Sequence, residues 1–495
     1  MSAQSASIAP ETPVIVGVSS INEHAEDPLS IGEPLALMEK ALLQAAEDAG
    51  EKQLLQQMDS IWMPRGFWSY ADPGRLLAEK VGASGVRSVV AEVGVLQTTV
   101  LGAAATALAE GRGEVAVIIG AEARDRASRL QRQGLDVPLT EQAEGQPDET
   151  MSPAAEIMGA FEIELGLITP TIQYAMIDNA LRYQEGQSMA AHREELGALW
   201  GDFNKVAVGN EHAWNRTAMT PKEIVEPSAS NRMLAYPYTK SLVSQWNVNQ
   251  AGCLILCTYG KAKALGLDES RFIYPLAVTD SEYMVTLSER GELHRSPGFA
   301  LAGEQALSHI GRGIEDIDLF ELYSCFPASV RIQQRELGLD LGHRVTQTGG
   351  MTFGGGPLNN FVVQSWAKMV ESMRAESAEL GLVTAVSGLL TKQGVSVFGR
   401  EPSVAFGHAQ VTEAAREKTA TVSVDREAQG RARVTAYTVS HDRNAAQGVP
   451  LICDFEDGRR TLRVVADEAL AEEGERAELC GREVEVGPEG AVRFC

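Results

Sequence analysis

Thr346-Gln-Thr-Gly-Gly-Met-Thr-Phe-Gly-Gly-Gly-Pro-Leu358 is the stretch on which the reading of this chain turns. Gly349 and Gly350 are followed by five residues and then by Gly356-Pro357. Glycine at this density admits backbone conformations closed to other residues and lets a ligand come close to the main chain. The run Gly354-Gly355-Gly356 also suits a tight turn, and the sequence alone leaves both readings open. Asn359-Asn360 stand where the cap of the next helix is expected.

Outward from this loop the chain alternates strand and helix signals. Downstream, a helix is expected over 360–375, then paired strands at Leu382-Val-Thr-Ala-Val386 and Val395-Ser-Val-Phe398. Upstream, Arg271-Phe-Ile-Tyr-Pro-Leu-Ala-Val278 and Ile317-Asp-Leu-Phe-Glu-Leu322 read as strands, and 298–310 and 328–337 as helices. The first 120 residues repeat the order. Val14-Ile-Val-Gly-Val18, Ile61-Trp-Met63 and Glu114-Val-Ala-Val-Ile-Ile-Gly120 are strand-like, while 35–49, 74–81 and the alanine-rich 98–110 are helical. Two βα-rich halves of similar order suggest a duplication.

Between them, 125–245 reads as a polar, mainly helical insertion, with 126–150 a flexible loop and 174–209 strongly helical. Such an insertion covers a site on the main body. The last ninety or so residues change character to short alternating strands separated by glycine and charged turns, the pattern of a small antiparallel β-barrel. The expected division is 1–124 with 246–268, 125–245, 269–405 and 406–495.

The chain has 495 residues and a formal charge of -24, so nucleic acid and anionic membrane are not expected partners. An anionic ligand needs a local positive or backbone-amide site. Six cysteines are scattered without a CxxC pair or zinc spacing and read as reduced thiols, so no metal is expected. No run approaches a membrane span and the start lacks a basic-then-apolar leader, so a cytoplasmic location is expected.

The motifs Glu92 to Glu122, Trp246-Asn-Val-Asn-Gln-Ala251, Glu321-Leu-Tyr-Ser-Cys-Phe-Pro327 and Gly349 to Pro357 together resemble the thiolase superfamily. The nearest likeness is to the sterol-carrier-protein thiolases and to proteins labelled acetyl-CoA acetyltransferase, over roughly residues 10 to 405. The resemblance implies an α/β, duplicated thiolase fold with layers αβαβα, the helical insertion and the C-terminal antiparallel barrel. It further implies an acyl-CoA substrate with no cofactor beyond the coenzyme A that the substrate carries, lipid-related acyltransferase chemistry and a possible homodimer.

The reactive groups do not follow. The family's cysteine nucleophile falls on Gly94, its acid/base cysteine on Val386, its active-site histidine on Gly356, and its water-holding amide or imidazole on Tyr323. Glycine and valine supply neither thiol nor proton, so ordinary thiolysis or Claisen condensation is not expected. The backbone N–H groups of Gly94 and Gly388 match a family oxyanion hole and do not depend on side chains. Tyr323 is the candidate acid/base, as in thiolase-fold retro-aldolases, or else a half-buried tyrosine bonded to backbone. Cys325 matches a family cysteine but lacks the imidazole partner, and structural burial is the competing reading. Gly355, Gly356, Tyr236, Tyr238 and Lys240 are the candidate substrate-binding residues, Lys240 for a coenzyme A phosphate. His343 precedes the glycine loop and is a weaker candidate. The segment from Gly430 to His441 resembles OB-fold domains that partner thiolase-like acyl-CoA enzymes. Two functions remain in view: an acyl-CoA C–C lyase acting by retro-aldol cleavage, and a non-catalytic acyl-CoA-binding or protein-partner module.

Overall fold

A computed structural model describes residues 8–142, 145–442 and 446–495. The N-terminal segment read above against a leader lies outside them up to residue 7.

The first half supplies β1 (Pro13–Asn22), α1 (Pro34–Ala49), β2 (Ser60–Pro64), α2 (Pro73–Lys80), β3 (Arg87–Ala91), α3 (Gln97–Ala109), β4 (Val115–Ala123) and α4 (Arg124–Arg132). The insertion adds β5 (Glu149–Met151), α5 (Ala160–Glu164), α6 (Pro170–Gln184), α7 (Met189–Gly209), α8 (Pro221–Val225), β6 (Met233–Ala235) and β7 (Tyr238–Thr239). The chain then returns as β8 (Asn249–Thr258) and α9 (Tyr259–Ala264). The second half runs β9 (Tyr274–Ser281), α10 (Pro297–Ile310), β10 (Leu319–Glu321), α11 (Pro327–Leu337), α12 (Gly350–Phe353), α13 (Phe361–Glu376), β11 (Leu380–Ser387), β12 (Lys392–Gly399) and β13 (Gly407–Gln410).

The duplication is visible in the strand pairing. The first sheet has the order β1-β8-β4-β2-β3-β5 and the second β10-β11-β12-β9-β13. The run β2-β4-β8-β1 matches β10-β11-β12-β9 in order. It also matches in sense: one parallel contact, then two antiparallel ones. In each half a helix enters the strand that carries the parallel contact, α3 before β4 and α13 before β11.

These two helices lie between the sheets and are apolar almost all round, as a doubly covered helix must be. In α3, Val100, Leu101, Ala104, Ala105 and Leu108 are buried. In α13, Phe361, Val362, Val363, Trp366, Val370 and Met373 are buried. Fully burying each large side chain of this kind stabilises the fold by roughly 1.5–3 kcal/mol. Alanine and glycine in α3 let the sheets approach: a Cβ at Gly102 would lie 2.5 Å from the His408 ring. Helices α1 and α10 cover the outer faces of the two sheets. The result is the layered αβαβα order. Helix α1 stops at Gly50, whose left-handed backbone (φ 79°) lets its N–H meet the carbonyls of Ala46 and Glu47.

Three local expectations are corrected. The stretch 126–150 opens as helix α4, because Leu130 is fully buried and Asn249 Oδ1 accepts from the Arg126 N–H at 2.8 Å. Residues 143–144 of that stretch lie outside the described residues. Asn360 precedes α13 without a side-chain capping bond. Strand β13 pairs with β9, so the second sheet extends beyond residue 405.

Beyond it come α14 (Thr412–Lys418), β14 (Ser423–Val424), β15 (Gly430–Tyr437), β16 (Ser440–His441), β17 (Ala446–Phe455), β18 (Arg459–Val465), α15 (Glu468–Gly474), β19 (Glu483–Val486) and β20 (Val492–Phe494). They form a largely antiparallel sheet in the order β20-β19-β15-β17-β16-β6-β7, with β18 also on β17. The insertion strands β6 and β7 thus continue the C-terminal sheet. Asn179 of α6 fastens the two by donating to the carbonyls of Tyr236 and Tyr437 at 3.0 and 2.8 Å.

Candidate functional site

The β3–α3 loop of the first half and the β11–β12 turn of the second meet at one cavity of about 470 Å³. Gly94 from the first and Gly388 from the second line it. Both have left-handed backbone, φ 103° and 57°. A Cβ at Gly94 would press on Pro153 at 3.1 Å, so conformation and space both favour glycine there. The Gly94 carbonyl accepts from Lys392 Nζ at 2.6 Å and from Ser387 Oγ at 3.3 Å. The Gly388 carbonyl accepts from Thr391 Oγ1 at 2.6 Å. Among the described residues no hydrogen bond uses the N–H of Gly94 or of Gly388. The carbonyl ends are fastened and the two amide donors are left unclaimed.

The adjoining turn is strained. Leu389 and Leu390 have φ of 56° and 74°, which side chains with a Cβ rarely adopt. Their carbonyls are held by Arg290 Nη1 at 2.7 Å and by Ser296 Oγ at 2.5 Å. Strain of this kind persists only where surrounding bonds over-determine the backbone.

The other wall comes from the segment after β10. Tyr323 lines the cavity. Its backbone is fixed from three sides: its N–H donates to Thr384 Oγ1 at 2.8 Å, and its carbonyl accepts from Ser329 Oγ at 3.0 Å and Gln333 Nε2 at 2.8 Å. Its ring stands edge-on to Phe361, 5.8 Å between centroids. Its hydroxyl has no hydrogen-bond partner among the described residues, so the backbone-bonded alternative is not what is seen. Burial pushes its pKa up, and neighbouring Cys325 adds to the shift. Tyr323 is therefore a neutral phenol at neutral pH. Cys325 also lines the cavity, and burial pushes its thiol up to about 12. Its hydrogen-bonding neighbours are Tyr174 and Ser329, not an imidazole.

The glycine loop closes the floor. Gly349 and Gly350 are left-handed, φ 88° and 73°. A Cβ at either would collide with Ala207 or Phe203 of α7, so the insertion holds the loop by close approach. Beneath it, the buried Glu321 carboxylate accepts from Gln347 N at 2.5 Å, Thr348 N at 2.8 Å and Thr348 Oγ1 at 2.9 Å. Burial raises its pKa to about 7 against these bonds, which lower it. Gly356 lines the cavity, and its N–H donates to the Gln245 carbonyl at 2.8 Å. A Cβ there would lie 3.2 Å from Met351 Cε, so the thioether stands close to where a side chain would start.

Gly94, Val386, Gly356 and Tyr323, four positions separated by up to 292 residues, thus meet at one cavity together with Gly388 and Cys325. The remaining candidates do not meet there. Tyr238 is fully buried, and its hydroxyl donates to Asp178 at 2.7 Å within a network containing Arg331 and His192. Tyr236 packs in the core of the C-terminal sheet. Lys240 is exposed, on a separate polar recess shared with Glu223 and Glu226. Gly355 packs against Gln250 outside the cavity. His343 is edge-on to Phe320, 6.3 Å between centroids.

Much of the rest of the lining is apolar and comes from the insertion, Ile157, Met158, Pro170, Tyr174, Leu234 and Val243, with uncharged polar groups such as Gln97, Thr171 and Asn359 among it. No aspartate, glutamate, lysine, arginine or histidine lines the cavity among the described residues. Tyr174, Met351 and Trp246 escaped the sequence reading as site residues. Trp246 lies within a quoted motif, but nothing local marks its role. Tyr174 opens the helical stretch 174–209, where an aromatic at helical spacing reads as core.

No protein-family model and no curated protein sequence matches the chain. Solved structures do. A monomeric SCP2-thiolase like protein type 1 from Mycobacterium smegmatis is 26% identical with a TM-score of 0.83, over 99% of this chain and 100% of that one. The Ltp2-ChsH2(DUF35) aldolase is 20% identical with a TM-score of 0.58, over 79% of this chain and 98% of that one. Human mitochondrial 3-ketoacyl-CoA thiolase in complex with CoA is 18% identical with a TM-score of 0.55, over 79% and 99%. The chain has the thiolase-superfamily fold. The first match spans the C-terminal unit as well.

Proposed function

We propose that the chain binds an acyl-CoA thioester with the acyl part in the apolar cavity and acts on a C–C bond by retro-aldol cleavage of a β-hydroxyacyl-CoA rather than by thiolysis. The observation that carries this reading is the pair of unclaimed N–H groups at Gly94 and Gly388 beside the free Tyr323 hydroxyl, in a cavity without histidine. Two N–H donors aimed at a thioester oxygen stabilise the negative charge that develops when the Cα–Cβ bond breaks.

In this reaction Tyr323, as phenolate, takes the β-hydroxyl proton. The Cα–Cβ bond breaks, an aldehyde or ketone leaves, and the enolate of the shortened thioester rests on the two amides. The Tyr323 phenol then returns its proton to Cα. No free thiol enters the step, which agrees with the absence of a cysteine at position 94. The fold likeness to an aldolase supports the same direction. Binding of the coenzyme by a C-terminal OB-like unit in cis, and a homodimer, are the finer parts of the proposal. Sedimentation at micromolar concentration separates a dimer from the monomeric state named for the Mycobacterium smegmatis protein.

The test is incubation with panels of 3-hydroxyacyl-CoA esters and with acetoacetyl-CoA plus free coenzyme A. Release of a shortened acyl-CoA from the hydroxy esters alone is expected. Thiolysis of acetoacetyl-CoA would overturn the reading. The lack of any charged acid or base on the cavity wall favours a second reading, a non-catalytic acyl-CoA-binding protein. Its signature is coenzyme A binding with no turnover of either panel.

A further inference from the structure

An acidic protein that takes a coenzyme A ester needs a local positive or backbone-amide site for the nucleotide end, and the cavity wall supplies no cation. One guanidinium at its mouth is free. Arg124, the first residue of α4, lies over the Trp246 ring at 4.0 Å and over the Phe67 ring at 4.9 Å, and the two rings meet edge-on at 6.0 Å. Trp246 lines the cavity, yet it is 45% exposed and Phe67 is 55% exposed. The rings hold the guanidinium in place, but among the described residues it makes no ion pair and no side-chain hydrogen bond. Its Nε is buried without a partner. Cation–π contacts with two rings do not satisfy N–H donors, which remain available to an anion.

The neighbouring charges form no ion pair with it among the described residues. Arg65 pairs with Glu92 at 3.1 Å, and Asp125 accepts from Asn249 at 3.1 Å and lies 3.5 Å from Arg129. For Glu122 burial dominates and raises the pKa to about 7 although it feels the Arg124 charge, and its carboxyl accepts the Phe67 N–H at 2.8 Å. The alternative route from the cavity leads past Val243 and Ser244 to the recess with Lys240, where Glu223 and Glu226 oppose phosphate.

We infer that Arg124, held in the corner formed by Trp246 and Phe67, is the anchor for the diphosphate of a coenzyme A ester, with the half-exposed aromatic rings beside it for its adenine. The inference rests on the acyl-CoA reading above and adds the direction from which the coenzyme enters. Guanidinium matches phosphate oxygens in a two-point fork, and an aromatic face stacks a base without sequence of contacts to satisfy.

The experiment is calorimetric titration with coenzyme A and, separately, with pantetheine, which lacks the nucleotide. Arg124→Gln is expected to weaken coenzyme A binding at least tenfold and to leave pantetheine binding unchanged. Arg124→Lys, which keeps the charge but not the flat fork, is expected to lose less. The dependence of coenzyme A affinity on salt is expected to flatten in Arg124→Gln. Unchanged coenzyme A binding in Arg124→Gln, an equal loss for both ligands, or a selective loss in Lys240→Gln instead would overturn the assignment. If the unaltered protein binds neither ligand, the acyl-CoA reading itself falls, and this site with it.

Discussion

Lys392 Nζ donates to the carbonyl of Gly94 at 2.6 Å, although 298 residues separate them. Lys392 is buried, and burial lowers its pKa while Glu282 and Asp280 raise it. The bond pins the first-half loop to the second-half hairpin and so sets the spacing of the two free amides. In Lys392→Met that spacing loosens. The kcat for a 3-hydroxyacyl-CoA ester is expected to fall about ten- to a hundredfold with KM little changed, read by steady-state kinetics.

Tyr323→Phe removes only a hydroxyl that bonds nothing in the protein. Stability is expected to change by less than about 0.5 kcal/mol. Turnover is expected to fall at least about a hundredfold while coenzyme A affinity holds. Turnover that survives the change would remove Tyr323 from the reaction.

Because burial raises the Tyr323 pKa, the phenolate is scarce at neutral pH. Below that pKa, each unit by which pH rises multiplies the phenolate tenfold. The kcat/KM of the unaltered protein is expected to climb with slope one from about pH 7 to about pH 9 without a plateau, tyrosine in water titrating near 10. A plateau below pH 8 would show that another group carries the proton.

Glu321 predicts a stability effect of definite sign. Its pKa in the folded chain is pushed to about 7, against roughly 4.3 in the unfolded chain. Between those values the folded chain keeps a proton that the unfolded chain has released, so stability falls as pH rises and levels off above 7. The fall amounts to roughly 4 kcal/mol for this group. Urea titrations across that range are expected to show a shallower fall in Glu321→Gln. Glu122, also raised to about 7 by burial, leaves part of the slope in place.

Gly94→Ala forces a Cβ into left-handed backbone 3.1 Å from Pro153. A loss of about 1–2 kcal/mol is expected in chemical denaturation. The same strain bears on Gly94→Cys, which is not expected to confer thiolysis, since Gly356 and Val386 supply no partner.

Much of the fold was legible because its core elements follow one period each. Strands such as Val115–Ala123 are buried on both faces and read as unbroken apolar runs. Helix α1 carries a stripe and a glycine stop. The boundary after the second sheet was not legible, since Gly407–Gln410 is a four-residue edge strand with little apolar signal. At the site, Gly94, Gly356, Gly388, Tyr323 and Cys325 meet at the cavity, while Gly355 of the same glycine loop turns away to Gln250. Tyr236, Tyr238 and Lys240 do not meet the cavity either. They were chosen by their place in the chain, and the side chain of Tyr238 turns into the Asp178 network instead. Arg124, Lys392 and Tyr174 come from distant segments, and only folding brings them to the cavity's edge.

The most direct test is a crystal structure with an unreactive 3-hydroxyacyl-CoA analogue bound. The account predicts the thioester oxygen within hydrogen-bond distance of both the Gly94 and Gly388 N–H groups, with the β-hydroxyl against Tyr323. An acyl group bonded to Cys325, or a thioester lying away from both amides, would contradict it.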